Sequence, residues 1–129
     1  MARILIIDDE PNLRSMLRRM LHQAGHQVSE AGNGAEGIDS YERDPPDLII
    51  TDILMPEKEG IETIIALHRA DPDLPIIAIS GGGCSGGTDF LCSAEKLGAR
   101  HTLSKPFRGD QLLSAVSESL SQNPAKQSP

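Results

Sequence analysis

Pro45-Pro46-Asp47-Leu48-Ile49-Ile50-Thr51-Asp52 is the stretch on which the fold turns. The prolines break whatever precedes them, and Leu48 to Thr51 then run without a charge into an acid. A strand with one wet face alternates apolar and polar side chains. Leu48 to Thr51 does not, so both of its faces must be covered. Such a strand belongs in the interior of a sheet with helices on either side, and helices reach both sides as crossovers between parallel strands.

The same unit recurs outward from this point. Towards the N-terminus, Arg3 to Ile7 is another buried run, followed by Pro11 to Ala24 with Leu13, Met16, Leu17, Met20, Leu21 and Ala24 at helical spacing. Pro11 suits the opening turn of that helix and Gly25 its stop. Gln27 to Glu30 reads as a weaker, edge-like strand, and Ala31-Gly32-Asn33-Gly34 turns it into a short helix from about Gly34 to Arg43. Towards the C-terminus, Ile61, Ile64, Ile65 and His68 mark one face of a helix, and Pro75 precedes a strand from Ile76 to Ile79. Leu91, Ala94 and Leu97 mark a further helix stopped by Gly98. Arg100 to Leu103 is a short strand, and Leu112, Leu113, Val116 and Leu120 set out the final helix. Strand and helix in strict alternation predict an α/β fold, a doubly wound (βα)5 sheet of five parallel strands. In such sheets chemistry collects beyond the carboxyl ends of the strands, where strand order reverses.

A chain of 129 residues suits one core, so one domain is expected over residues 2–121, with 122–129 as a polar tail or linker stub. Twelve Lys and Arg against nineteen Asp and Glu give a net charge of -7, which repels a phosphate backbone and argues against direct nucleic-acid binding. No stretch approaches the roughly 20 apolar residues of a membrane span, and Ile4 to Ile7 is too short for a signal peptide. Cys84 and Cys92 stand apart from any Cys-x-x-Cys or His-x-x-His pattern, so free thiols in a reducing cytoplasm are expected rather than a metal knot.

At or just past the strand ends stand Asp8 and Asp9 (first), Asp52 (third), Ser80 (fourth) and Lys105 (fifth). Carboxylates crowded together repel unless a cation neutralises them. Magnesium fits, because it takes oxygen ligands, keeps several waters and completes its octahedron with one or two carboxylates and a phosphoryl oxygen. The plainer reading of Asp8-Asp9 alone is that they cap the first helix, where acidic groups are favoured.

The segments Ile6-Ile7-Asp8-Asp9-Glu10, Leu48-Ile49-Ile50-Thr51-Asp52-Ile53-Leu54-Met55-Pro56 and Lys105-Pro106-Phe107 resemble the hallmark segments of response-regulator receiver domains, in the same order and spacing. Gly60, Pro75 and Gly98-Ala99 add to the match. The resemblance implies a flavodoxin-like receiver fold with strand order 2-1-3-4-5. It implies Asp52 as phosphoacceptor, with Mg2+ held by Asp8, Asp9, Asp52 and the backbone carbonyl of Leu54, and Lys105 and Ser80 receiving phosphoryl oxygens. The phosphoryl donor would be a sensor histidine kinase or a histidine phosphotransfer protein. The output would pass to a downstream effector through the surface of the helix near Leu91 to Leu97, the last strand and the last helix, and phosphorylation could also drive homodimer formation. On this reading the chain is a phosphoacceptor signalling domain rather than an enzyme, and a receiver that binds partners without phosphorylation is the alternative.

Two features depart from the family pattern. Thr102 stands three residues before Lys105, where relatives often carry Tyr or Phe, so an aromatic rotamer switch has no ring to use. Ser80-Gly81-Gly82-Gly83-Cys84-Ser85-Gly86-Gly87 is dense in glycine, and it reads either as a passive linker or as a loop mobile in the bare protein and ordered on phosphorylation. No Gly-Lys-Ser/Thr follows it, which argues against a Walker-type phosphate loop. Leu54 places an apolar side chain near the route of an attacking water. Arg14, Arg18, Arg19 and His22 fall on or beside one side of the first helix, either as a solvated face or as a docking surface for a helical phosphotransfer domain.

Overall fold

The computed structural model describes residues 2–52, 59–80, 101–104 and 108–121. In chain order the elements are β1 (Arg3–Ile7), α1 (Pro11–Gln23), β2 (Gln27–Ala31), α2 (Gly34–Arg43), β3 (Leu48–Asp52), α3 (Glu59–Ala70), β4 (Ile76–Ser80), β5 (His101–Ser104) and α4 (Gly109–Ser121). The helix expected around Leu91 to Leu97 and the glycine-dense run from Gly81 to Gly87 lie outside the described residues.

The five strands form one parallel sheet in the order β2-β1-β3-β4-β5. The reversal falls between β1 and β3, since the chain first winds outward to β2 and then returns past β1. All five residues of β3 are buried, as its uninterrupted apolar run requires. β2, at an edge, buries only Ala31 fully.

Alternation along the strands divides the core into two layers. Leu5, Ile7, Ile49, Ile76 and Ala78 face Ile64 and Leu67 of α3, with Ile38 and Tyr41 of α2 packed against them. Ile4, Ile6, Leu48, Ile50, Ile77 and Ile79 face Leu17 and Leu21 of α1 and Leu112, Ala115 and Val116 of α4. Each fully buried Ile or Leu contributes on the order of 2 kcal/mol from apolar area removed from water. α2 reaches the sheet through Gly37, where a Cβ would stand 2.3 Å from Cδ1 and 2.7 Å from Cγ1 of Ile7.

Several boundaries and faces differ from the sequence reading. β3 extends to Asp52 and β4 to Ser80, because the ladder pairs Asp52 with Ile79 and Ser80 with Ser104. α1 ends at Gln23, with Ala24 as C-cap and Gly25 at φ 96, the left-handed conformation glycine tolerates without strain. Met16 is 42% exposed instead of joining the α1 core stripe. On α3 the buried side chains include Thr63, Ile64 and Leu67, whereas Ile65 and His68 are half-buried, so the helix is rotated by about one position from the expected face. On α4, Ala115 and Ser119 take buried places, with Leu113 and Leu120 packed at the margin.

Candidate functional site

The parallel register sets the expected residues in a stepped row. Ile7 pairs with Thr51, so Asp8 and Asp52 follow at the same level on adjacent strands, which lie about 4.8 Å apart. Asp52 pairs with Ile79, which puts Ser80 one residue further on the next strand. Ser80 pairs with Ser104, the residue before Lys105. The strand order expected from the resemblance is thus the one observed, and it lines up the carboxyl ends of β1, β3, β4 and β5.

Asp8 is 1% exposed and Asp52 5% exposed, while Asp9 lies at the surface. Two buried carboxylates thus stand at neighbouring strand ends, with the exposed Asp9 next in sequence to the first. Of Ser80 the structure describes the backbone, and Leu54 and Lys105 lie outside the described residues.

The loop after β1 is tied down from three directions. Asp8 N–H donates to the Ala31 carbonyl (3.1 Å), which extends the β1–β2 ladder by one residue. Asp8 Oδ1 accepts from Glu10 N–H (2.8 Å), an Asx-type turn that fixes the carboxylate against its own backbone. The Asp8 carbonyl accepts from Arg14 Nη1 of α1 (2.7 Å).

Helix capping does not account for the acids. The N-cap residue of α1 is Glu10, with no side-chain cap bond and Pro11 at the first helical position. Asp8 takes the N–H of the cap residue, not one of the unpaired N–H groups inside the first turn. A capped helix start occurs instead at α2, where Asn33 Oδ1 accepts from Glu36 N–H (2.8 Å) and Glu36 Oε1 accepts from Gly32 N–H (3.0 Å).

Among the described residues no three His, Cys, Asp or Glu side chains gather closely enough to hold an ion by themselves. Magnesium sites use one or two carboxylates and fill the remaining positions with water and phosphoryl oxygen. Hard oxygen donors, two buried and one exposed, match the chemistry of that ion. Calcium, which takes more protein oxygens, matches it less well.

Arg14 is the residue whose placement the sequence concealed. It shares the basic side of α1 with Arg18, Arg19 and His22, yet its side chain is only 21% exposed and is held by Glu30 Oε1 of β2 (3.2 Å). Arg18 meets the other oxygen of Glu30 at 3.4 Å. Ser15, Arg18, Arg19 and His22 line a shallow groove on the outer side of the helix. Among the described residues no helix is long and apolar enough to cross a membrane.

Comparison with known proteins agrees with this geometry. Residues 4–117 match the response regulator receiver domain family. The chain is 35% identical over 117 residues to chemotaxis protein CheY of Thermotoga maritima, covering 90% of this chain and 95% of that protein. It is 30% identical over 118 residues to sporulation initiation phosphotransferase F of Bacillus subtilis, covering 92% and 93%. Among solved structures, the response regulator TrrA of Thermotoga maritima in complex with Mg2+-BeF superposes with a TM-score of 0.79 at 31% identity, covering 92% and 99%. The chain belongs to the response regulator receiver domain family. It is a phosphoacceptor module of two-component signal transduction.

Proposed function

We propose that Asp52 is the residue that accepts the phosphoryl group, that Asp8, Asp9, Asp52 and the Leu54 carbonyl hold Mg2+, and that Ser80 and Lys105 receive the phosphoryl oxygens. The observation that carries this reading is the stepped row at the carboxyl end of the sheet, where Asp8 and Asp52 follow the paired Ile7 and Thr51 and are both buried. That end, at the β1/β3 reversal, is where an open α/β sheet offers a crevice to ligands.

A carboxylate oxygen of Asp52 attacks the phosphorus of a phosphohistidine on a sensor kinase or phosphotransfer protein. The P–N bond breaks, the imidazole departs, and an aspartyl phosphate remains. The transition state is loose and highly charged, so positioning and neutralisation supply most of the catalysis. Bound magnesium supplies positive charge against the phosphoryl oxygens and the acids. Lys105 adds a second positive charge, and the Ser80 hydroxyl donates to a phosphoryl oxygen that the bare state lacks. That contact is the differential interaction a switch requires. The chain acts as a reversible mark for a downstream effector and not as a turnover enzyme.

Leu54 follows Asp52 by two residues in the sequence, and we assign its apolar side chain an influence on the access of water to the acyl phosphate. The exposed Arg19 and its neighbours on α1 form the docking face for the phosphodonor. Incubation with Mg2+ and acetyl phosphate followed by intact mass measurement tests the core of the proposal. The parent chain gains one phosphoryl group and Asp52→Asn gains none. A parent chain that gains nothing, or an Asp52→Asn chain that gains as much, contradicts it.

A further inference from the structure

The fork of Arg14 does more than pair with a neighbouring acid. Nη1 donates 2.7 Å to the backbone carbonyl of Asp8, while Nε of the same guanidinium donates 3.2 Å to Glu30 Oε1 on β2. The Asp8 carbonyl and the Asp9 N–H belong to one rigid peptide plane, so a bond to that carbonyl fixes how the chain enters Asp9. Asp9 is exposed, and the turn carrying it is held by the Asp8 bonds and the start of α1. Planar, fixed donor directions suit Arg for this task, whereas a Lys ammonium can satisfy one acceptor but not hold both in a set geometry.

Glu30 has a complementary electrostatic part. An unpaired guanidinium beside Asp8 and Asp9 would repel a cation, and the Glu30 carboxylate offsets that charge while Arg18 steadies its other oxygen. Gly32 lies beneath the arrangement, where a Cβ would come 3.5 Å from Arg14 Nη1.

We propose that Arg14, braced by Glu30, is a positioning residue that sets the orientation of the Asp8-Asp9 peptide for divalent-cation binding. The inference rests on the proposed metal role of Asp8 and Asp9. It assigns to the β2 edge and α1 a part in the affinity of the site that neither the strand-end row nor the acids themselves contain. Partners that orient metal ligands from outside the coordination shell typically alter metal affinity by about 10–100-fold when replaced.

The test is a Mg2+ titration of the full chain followed by the amide 1H–15N shifts of Asp9 and Glu10, with urea unfolding run in parallel on parent, Arg14→Lys, Arg14→Met and Glu30→Gln. Arg14→Lys keeps a charge beside Glu30 and serves where Arg14→Met fails to fold. The expected result is a Mg2+ Kd weakened about tenfold in Arg14→Lys, little changed by salt because the loss is geometric. Glu30→Gln loses affinity by a smaller factor, and that loss shrinks as salt is raised because it arises from the uncovered charge. Parental Mg2+ affinity in a folded Arg14→Lys chain, whether or not its stability falls, overturns the inference and reduces Arg14 to a packing strut. A parent chain with no Mg2+ response overturns the metal reading of Asp8 and Asp9, and this inference with it.

Discussion

Gly37 shows how a single residue sets the distance between a helix and the sheet that carries the acids. Alanine there would gain up to about 1 kcal/mol of helix propensity. Its Cβ would meet the Ile7 side chain at 2.3 Å, and Ile7 is fully buried. Overpacking of a filled core typically costs about 1–3 kcal/mol, so Gly37→Ala is expected to lower unfolding free energy by about 1–2 kcal/mol in urea titrations. Equal or higher stability would show that α2 shifts outward freely. His26 offers a second test at this scale. Its Nδ1 accepts from Ala2 N–H at 3.1 Å, a bond only the form with an unprotonated Nδ1 can make. Burial first, and the positive N-terminus second, hold its pKa below the ordinary 6.5. The folded state therefore favours neutral imidazole. Its contribution is complete above the unfolded value near 6.5 and is lost as pH falls through the lower folded value. The decline in stability as pH falls below 6.5 should flatten in His26→Asn, and an unchanged slope would assign that decline to other groups.

Among elements, the first strand and the helix after it were nearly complete in the sequence, because Ile4 to Ile7 and the spacing of Leu17 and Leu21 leave little choice of face. The second helix was equally legible at its bounds, since the turn Ala31-Gly32-Asn33-Gly34 marks its start, and the structure adds there the bond from Glu36 N–H to Asn33 Oδ1. Asn33→Ala removes that bond and is expected to cost about 1 kcal/mol, seen as a lower urea midpoint with an unchanged m-value. No shift in midpoint would mean that Glu36 alone secures the turn. The third helix was placed correctly but faced about one position wrong. Thr63 is a polar residue in a buried position, and hydropathy alone favours Ile65 over it. The site divides along the same line. Asp8, Asp9 and Asp52 follow apolar runs and were legible as strand-end acids. The bonds from Arg14 to Glu30 and to the Asp8 carbonyl were not, because the first joins residues sixteen apart through the parallel pairing of β1 with β2. On α1 alone, Arg14 looks like Arg18 and Arg19.

At the scale of the whole molecule, the sheet separates two tasks. The carboxyl ends of β1 and β3 gather the acids, and the outer side of α1 presents cations on a chain of net charge -7. Arg18 is committed to Glu30, which makes Arg19 the cleaner probe of docking. Arg19→Glu is expected to slow phosphorylation by a phosphohistidine protein several-fold, with the effect shrinking at high salt, and to leave the rate with acetyl phosphate unchanged. Equal slowing with both donors would mean that the change disturbs the site itself. Leu54→Asn is expected to alter the lifetime of the phosphorylated chain without altering its formation, and decay at the parental rate would remove the shielding role assigned to Leu54. The receiver family of this chain was legible in its three hallmark segments, whereas the coupling of α1 and β2 to the acids needed coordinates. The most direct measurement of the central claim is to phosphorylate the chain with Mg2+ and acetyl phosphate, reduce it with borohydride and map the peptides by mass. Reduction converts an aspartyl phosphate to homoserine, and position 52 is predicted to carry that change. Conversion at another acid, or phosphate that resists reduction because it sits on an imidazole or hydroxyl, would contradict the assignment of Asp52.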